Sequence, residues 1–186
     1  MVRLTLLLLL ALAAPAAGND LCDDLWLARN APFARGGHCF ASPLGQATFG
    51  TRCTGPATPT PRERAMIAMV REEEARYGCA VDASVARALD VDHIELRLKL
   101  EDQPVNDGLE SACIGWRGPA FPLRLGARPG AAAVAEVAPG ATIRMAHGSP
   151  IDGWVYYGAT QPTGLRIAGW AEAVAFPDDA CAVFTG

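Results

Sequence analysis

The sequence predicts an α+β protein in two parts, a small disulfide-stapled, α-rich N-terminal domain and a small β unit. Three observations predict it. Six cysteines, an even number, follow an export-type leader and read as three disulfides. Residues 61–77 carry start and stop signals for a helix. After Pro119 the acidic residues thin out, and short apolar segments alternate with Gly and Pro turns, as in small sheets and barrels. The expected organisation is a leader at 1–18, a stapled domain at 19–118, a β unit at 119–176 and a tail at 177–186 that carries Cys181.

The leader opens with Arg3, continues through an apolar run from Leu4 to Ala14, and ends in small residues. Ala14-Pro15-Ala16 and Ala16-Ala17-Gly18 both fit a signal-peptide cleavage site. The run is shorter than the roughly 20 apolar residues of a membrane span. The expected mature chain is therefore periplasmic or secreted, with no membrane span. Loss of Arg3 from the 16 basic residues leaves 15 against 20 acidic ones, and Lys99 is the only lysine. No basic cluster exists, which excludes nucleic acid as an expected partner.

The cysteines stand at 22, 39, 53, 79, 113 and 181. Sequence does not choose among the possible pairings. The favoured set is Cys39–Cys53, which closes a Gly- and Pro-punctuated loop, with Cys22–Cys79 and Cys113–Cys181. The competing zinc reading needs paired ligands, but there is no Cys-x-x-Cys and the histidines are scattered at 38, 93 and 147. No metal and no cofactor are expected.

Along the chain, Asp23 and Asp24 precede Leu25, Trp26, Arg29, Asn30 and Phe33, a short amphipathic helix that Pro32 is expected to kink or end. Ser42 to Phe49 suggests one more helical turn, and Thr54 to Pro61 a loop. Thr60-Pro61-Arg62-Glu63 combines a cap, a first-position proline and the reciprocal glutamate of a capping box, and Gly78 supplies the stop. Glu72-Glu73-Glu74 reads as a solvated helix face, without the ligand spacing of calcium loops. Ile94, Leu96, Leu98 and Leu100 alternate with Glu95, Arg97 and Lys99, which favours a half-buried strand. Gln103 to Glu110 reads as a loop and Cys113 to Trp116 as a short strand. About five further strands are expected beyond Pro119.

Arg29-Asn30-Ala31-Pro32-Phe33-Ala34-Arg35-Gly36-Gly37-His38-Cys39-Phe40, followed by a loop and an acidic-ended helix, resembles the core of the YARHG family of exported bacterial domains. Pro32, Phe33, Gly36 and His38 depart from that family's pattern. Together with the later Cys113-Ile114-Gly115-Trp116, the chain looks like a divergent branch carried as a domain of unknown function. Arg128-Pro129-Gly130, Val134, Val137 with Pro139-Gly140, Gly153-Trp154-Val155-Tyr156 and Gly169-Trp170-Ala171 together resemble bacterial SH3-like domains. That resemblance implies a small β-barrel at residues 121–176, of a kind that accompanies cell-wall enzymes and binds envelope peptides. No activity transfers from either family.

Adjacent His38 and Cys39 do not make a nucleophile–base pair, because neighbouring side chains point apart and an exported Cys39 is expected to be bridged. His93 and His147 stand in polar sequence and read as surface residues. Arg29, Asn30 and Arg35 form a candidate recognition cluster for carboxylates; the competing reading has them satisfying nearby backbone. Trp154, Tyr156, Tyr157 and Trp170 are candidate groove aromatics, with alternation sending Trp154 and Tyr156 to one face and Tyr157 to the other. No catalytic residue is singled out. The expectation is a non-catalytic module that binds a cell-wall peptide or an envelope protein. The alternatives are an unrecognised wall-acting enzyme and a structural or inhibitory partner of a secreted enzyme.

Overall fold

The computed structural model describes residues 20–186, apart from 106–109, 148–150, 175 and 178. The expected leader at 1–18 and the middle of the expected 103–110 loop lie outside the described residues.

The first helix, α1, spans Asp20–Arg35. Its residues 23 to 28 are all buried, so it is the hub of the helical part rather than an amphipathic surface helix. It does not stop at Pro32, which lies inside it. The proline's carbonyl accepts the Gly36 N–H, and the chain turns one residue later. There His38 N–H reaches the Phe33 carbonyl and Gly37 N–H the Ala34 carbonyl, a Schellman arrangement with Gly37 at φ 85°. A side chain at Gly37 would also strike the Thr54 hydroxyl. The shorter helix α2 (Pro43–Phe49) is capped by Ser42. The third, α3 (Pro61–Arg76), has the full capping box between Thr60 and Glu63. It ends in a second Schellman turn at Gly78, with Cys79 N–H on the Glu74 carbonyl.

The alternating segment after His93 is not a strand. Ile94–Arg97 forms a single helical turn, α4. Helical spacing sorts its apolar residues into two pairs four apart. Ile94 and Leu98 pack on the cluster of Trp26, Leu27, Leu44 and Leu89, while Leu96 and Leu100 pack on Trp154, Tyr156 and Trp170. A strand would have sent all four to one face. The segment wedges between two apolar surfaces, and Arg97, on the supposed polar face, is fully buried.

Seven antiparallel strands follow: β1 Ser111–Trp116, β2 Phe121–Arg124, β3 Ala133–Val137, β4 Thr142–Met145, β5 Trp154–Thr160, β6 Arg166–Glu172 and β7 Cys181–Thr185. They form one sheet in the order β3-β2-β6-β5-β4-β1-β7. The sheet is open, with β3 and β7 as its outer strands, and does not close into a barrel. It extends beyond residues 119–176 at both ends, since β7 pairs along β1. One cluster, built on Trp116, Leu123, Val137, Ile143, Tyr157 and Ile167, holds one face. The other face receives α4. The protein is therefore α+β, helical and then an antiparallel sheet.

Disulfides join Cys22 to Cys79, Cys39 to Cys53 and Cys113 to Cys181, with Cα separations of 5.4, 5.1 and 5.3 Å. Among the described residues no helix is long and apolar enough to cross a membrane.

Candidate functional site

The three polar residues of α1 do not converge. Arg29 Nε lies 3.3 Å from Glu74 of α3. Asn30 donates to the Trp26 carbonyl at 2.8 Å, one turn back in its own helix. Arg35 donates to Glu63 at 2.9 Å and to the Glu101 carbonyl at 2.8 Å. Arg29 and Arg35 fasten α1 to opposite ends of α3, Arg35 also to the Glu101 backbone, and Asn30 serves its own helix, a backbone-and-neighbour role rather than a common recognition point. Glu74, on the expected solvated face, is only 13% exposed beside Arg29, and burial raises its carboxyl pKa above the usual value.

The four aromatics are core residues. Trp154 and Tyr156 pack with Trp170 against Leu100 on the α4 side, and Tyr157 packs on the other side with Leu123 and Ile143. Two of the four use their polar atoms internally, while the Tyr156 hydroxyl is buried without a hydrogen-bond partner among the described residues. Trp170 Nε1 donates to the Asp102 carbonyl at 2.8 Å, and the Tyr157 hydroxyl accepts the Val174 N–H at 3.0 Å. Alternation assigned the faces, but both faces of β5 are covered.

Between α1, α4 and the sheet lies a polar cluster without a local signal in the sequence. Asp24 and Arg97 form a buried, two-pronged ion pair. His147, expected at the surface, is 6% exposed and presents Nε2 to Asp24 Oδ1 at 3.1 Å. A carboxylate accepts that contact, so Nε2 carries the proton. Burial, the largest single influence, would raise the Asp24 pKa; the Arg97 charge and the His147 hydrogen bond, together with the remaining contributions of the same two partners, outweigh it and hold the carboxyl down at about 2. The Tyr156 ring meets His147 edge-on at 5.2 Å, and burial pushes the phenol's pKa far above its usual value. Next to it on α1, Asp23 takes two hydrogen bonds from Arg87 and one from the Asp90 N–H. These groups are held by one another. Their arrangement docks α1 on the rest of the chain.

The open surface lies elsewhere. β2 and β6 share a single ladder pair, Arg124 with Trp170. Toward Phe121 the two strands part, and a cleft of about 380 Å³ opens between them. Phe121, Pro122 and Arg124 line it from β2, and Trp154, Ala171, Glu172 and Val174 from the opposite side. Trp154 is thus the one candidate aromatic of the four that lines it. The cleft combines apolar wall, one cation and one anion, with strand backbone on both sides.

The C-terminal part, residues 78–186 and more than half the chain, matches the family model described as Domain of unknown function (DUF4453). The chain belongs to the DUF4453 family. Residues 2–76 match the YARHG domain model, so a YARHG region precedes the DUF4453 region. No curated protein and no solved structure matches the chain. The segment read above as SH3-like falls inside the DUF4453 match. The seam between the two matches falls at Tyr77, where α3 ends. Cys79 crosses it to bond Cys22, and Asp23 and Asp24 cross it to reach Arg87 and Arg97. In this DUF4453 chain the YARHG region is therefore fastened to its neighbour by covalent and ionic ties.

Proposed function

We propose that the protein works outside the cytoplasm as a non-catalytic module that binds an extended peptide of the cell envelope. The cleft between β2 and β6 carries this reading. A chain entering there in extended form meets strand backbone, an apolar wall at Phe121 and Trp154, and opposite charges at Arg124 and Glu172. Backbone pairing would supply affinity and the walls specificity, the logic of strand addition. The leader sequence and three disulfides support an oxidising compartment. The SH3-like resemblance of residues 121–176 points the same way, toward wall stem peptides or an exposed segment of an envelope protein.

Co-sedimentation with intact sacculi, and with a soluble stem peptide as competitor, tests the proposal. Glu172 is exposed and lies on the cleft wall, so Glu172→Arg should leave the melting temperature unchanged and weaken binding about tenfold, the scale of a charge-assisted contact. Release of soluble muropeptides by the wild-type protein would overturn the non-catalytic reading. Unchanged binding by Glu172→Arg combined with Pro122→Asp would overturn the cleft.

A further inference from the structure

On the α4 face of the sheet, away from the β2–β6 cleft, two arginines face one carboxylate. Arg144 of β4 places Nη1 3.5 Å from Asp92 Oδ2, and Arg166 of β6 places Nη2 3.4 Å from Asp92 Oδ1. Each carboxylate oxygen thus answers to a different guanidinium. All three side chains are about half exposed, at 46%, 59% and 50% for Arg144, Arg166 and Asp92. Ion pairs this long and this wet are weak and exchangeable. Arg144 does not depend on Asp92 for its position, because Glu110 takes its Nε and Nη2 and leaves Nη1 free to face Asp92.

His93 completes the cluster. Its backbone is left-handed, at φ 56°, and it precedes α4 without making a side-chain cap. A non-glycine residue there is uncommon, and such strain concentrates at ligand sites. The ring lies over Gly158, where any side chain would come within 2.8 Å of it. Expected at the surface, His93 is instead half-buried. Burial, then the charge of Arg166 and, after Asp92's opposing pull, that of Arg144, lower its pKa, so the ring is neutral at neutral pH and offers both a donor and an acceptor. An open cleft of about 440 Å³ runs from this point along Val91, Ile94 and Leu96.

We propose that Arg144, His93 and Arg166 form a binding site for the carboxylate of a small ligand with an apolar body, and that Asp92 occupies the carboxylate position until the ligand displaces it. Two guanidiniums that already straddle one carboxylate match a second of the same geometry. The apolar residues beside them take the ligand's body. Glu95, also on the cleft, disfavours a second negative charge. This site is independent of the peptide cleft, and either can stand without the other.

The test is a titration of nitrogen-15-labelled full-length protein with N-acetylalanine and, separately, with N-acetylalanine amide, at constant ionic strength. The ring signals of His93, identified by their loss in His93→Gln, report occupancy. The acid should shift them saturably and the amide should not. Asp92→Asn removes the internal competitor and should tighten acid binding about threefold, the scale of one exposed ion pair. Arg166→Gln should weaken it about tenfold. If Asp92 were only a latch holding α4 to the sheet, Asp92→Asn would leave the acid's affinity unchanged or lower it, and that result overturns the proposal. Equal responses to acid and amide would overturn it as well. Should Arg166→Gln fail to fold, the acid–amide comparison and Asp92→Asn decide the matter.

Discussion

Residues before the sheet bury their apolar side chains in two small clusters, one built on Trp26, Leu27, Leu44 and Leu89 and the other on Leu25, Ala28 and Val70. Among the described residues, the sheet and its connections bury twelve in a single cluster on one face. The ties are distributed the other way. Two disulfides hold the helical part, at Cys22–Cys79 and Cys39–Cys53, and two buried carboxylates, Asp23 and Asp24, reach from α1 to arginines further along the chain. The sheet has one bridge, between β1 and β7. A small core leaves little apolar area to oppose chain entropy, and covalent and ionic ties make up the difference. The difference teaches where each part is vulnerable: the sheet to loss of packing, the helices to loss of a tie.

The sharpest test on the sheet side is Trp170→Ala. Trp170 is fully buried and also satisfies the Asp102 carbonyl. Truncation should cost about 3–5 kcal/mol, read as a lower denaturant midpoint. Its counterpart on the helical side is Arg97→Ala. Asp24 would keep a buried charge without its guanidinium, which should also cost about 3–5 kcal/mol. Arg97→Met should recover part of the loss only when Asp24→Leu accompanies it, because the damage comes from the stranded charge rather than from volume. If Arg97→Ala proved as mild as a surface change, the view of ionic ties as structural would fail.

Opening the Cys39–Cys53 bridge by replacing both residues with alanine comes next. The cysteines lie 14 residues apart, and the chain-entropy account assigns such a loop about 3 kcal/mol. A loss confined to the helical part would leave the near-ultraviolet signal of Trp116, Trp154 and Trp170 in the sheet unchanged below the transition. Collapse of that signal together with the helical part would show that the two parts unfold as one.

Acid should act through Asp24. Its carboxyl titrates at about 2 in the folded protein against 3.8 when unperturbed. The folded pKa is the lower one, so the stabilisation is complete above the unperturbed value and is lost as pH falls through the folded one. The contribution is about 2 kcal/mol at neutral pH. Melting temperature should fall between pH 4 and pH 2 in the wild type and fall less steeply in a folded Asp24→Leu/Arg97→Met variant.

What could be read from the sequence was what neighbouring residues decide. Thr60, Pro61, Glu63 and Gly78 mark α3 because caps and stops act within one turn. Alternation placed Trp154 and Tyr156 on the face opposite Tyr157. What covers those faces is a long-range matter. Four aromatics that looked like groove residues are buried because α4 and the second cluster close over both sides of β5. The same limit explains α4 itself. Apolar residues at alternating positions read as a strand until two surfaces claim them in pairs four residues apart, Ile94 with Leu98 and Leu96 with Leu100. Asp24, Arg97 and His147 come together across separations of 73 and 50 residues, and no spacing rule spans that distance. The β2–β6 cleft was illegible for a related reason: it exists because two strands pair once and then diverge.

The smallest expected effect is at the cap of α3. Thr60 Oγ1 accepts the Glu63 N–H at 3.3 Å, and Glu63 returns the bond by accepting the Thr60 N–H at 2.7 Å. Glu63 also accepts from Arg35 of α1, so the cap is joined to a tie between helices. Burial acts to raise the Glu63 pKa, but the Thr60 bonds and Arg35 lower it overall, which keeps the carboxylate charged through the range where the helix dipole favours it. Thr60→Ala removes one acceptor and leaves the Glu63 arm in place. It should cost about 1 kcal/mol, a fall in melting temperature of about 2–4 °C for a chain of this size. Thr60→Ser should restore most of it. Glu63→Ala should cost more, because the return bond and the Arg35 contact go together. The ordering matters more than either value. Two-part loss at Glu63 and one-part loss at Thr60 is what a network of ties predicts, and equal losses at both positions would mean that the cap acts alone and that α1 is held to α3 by packing.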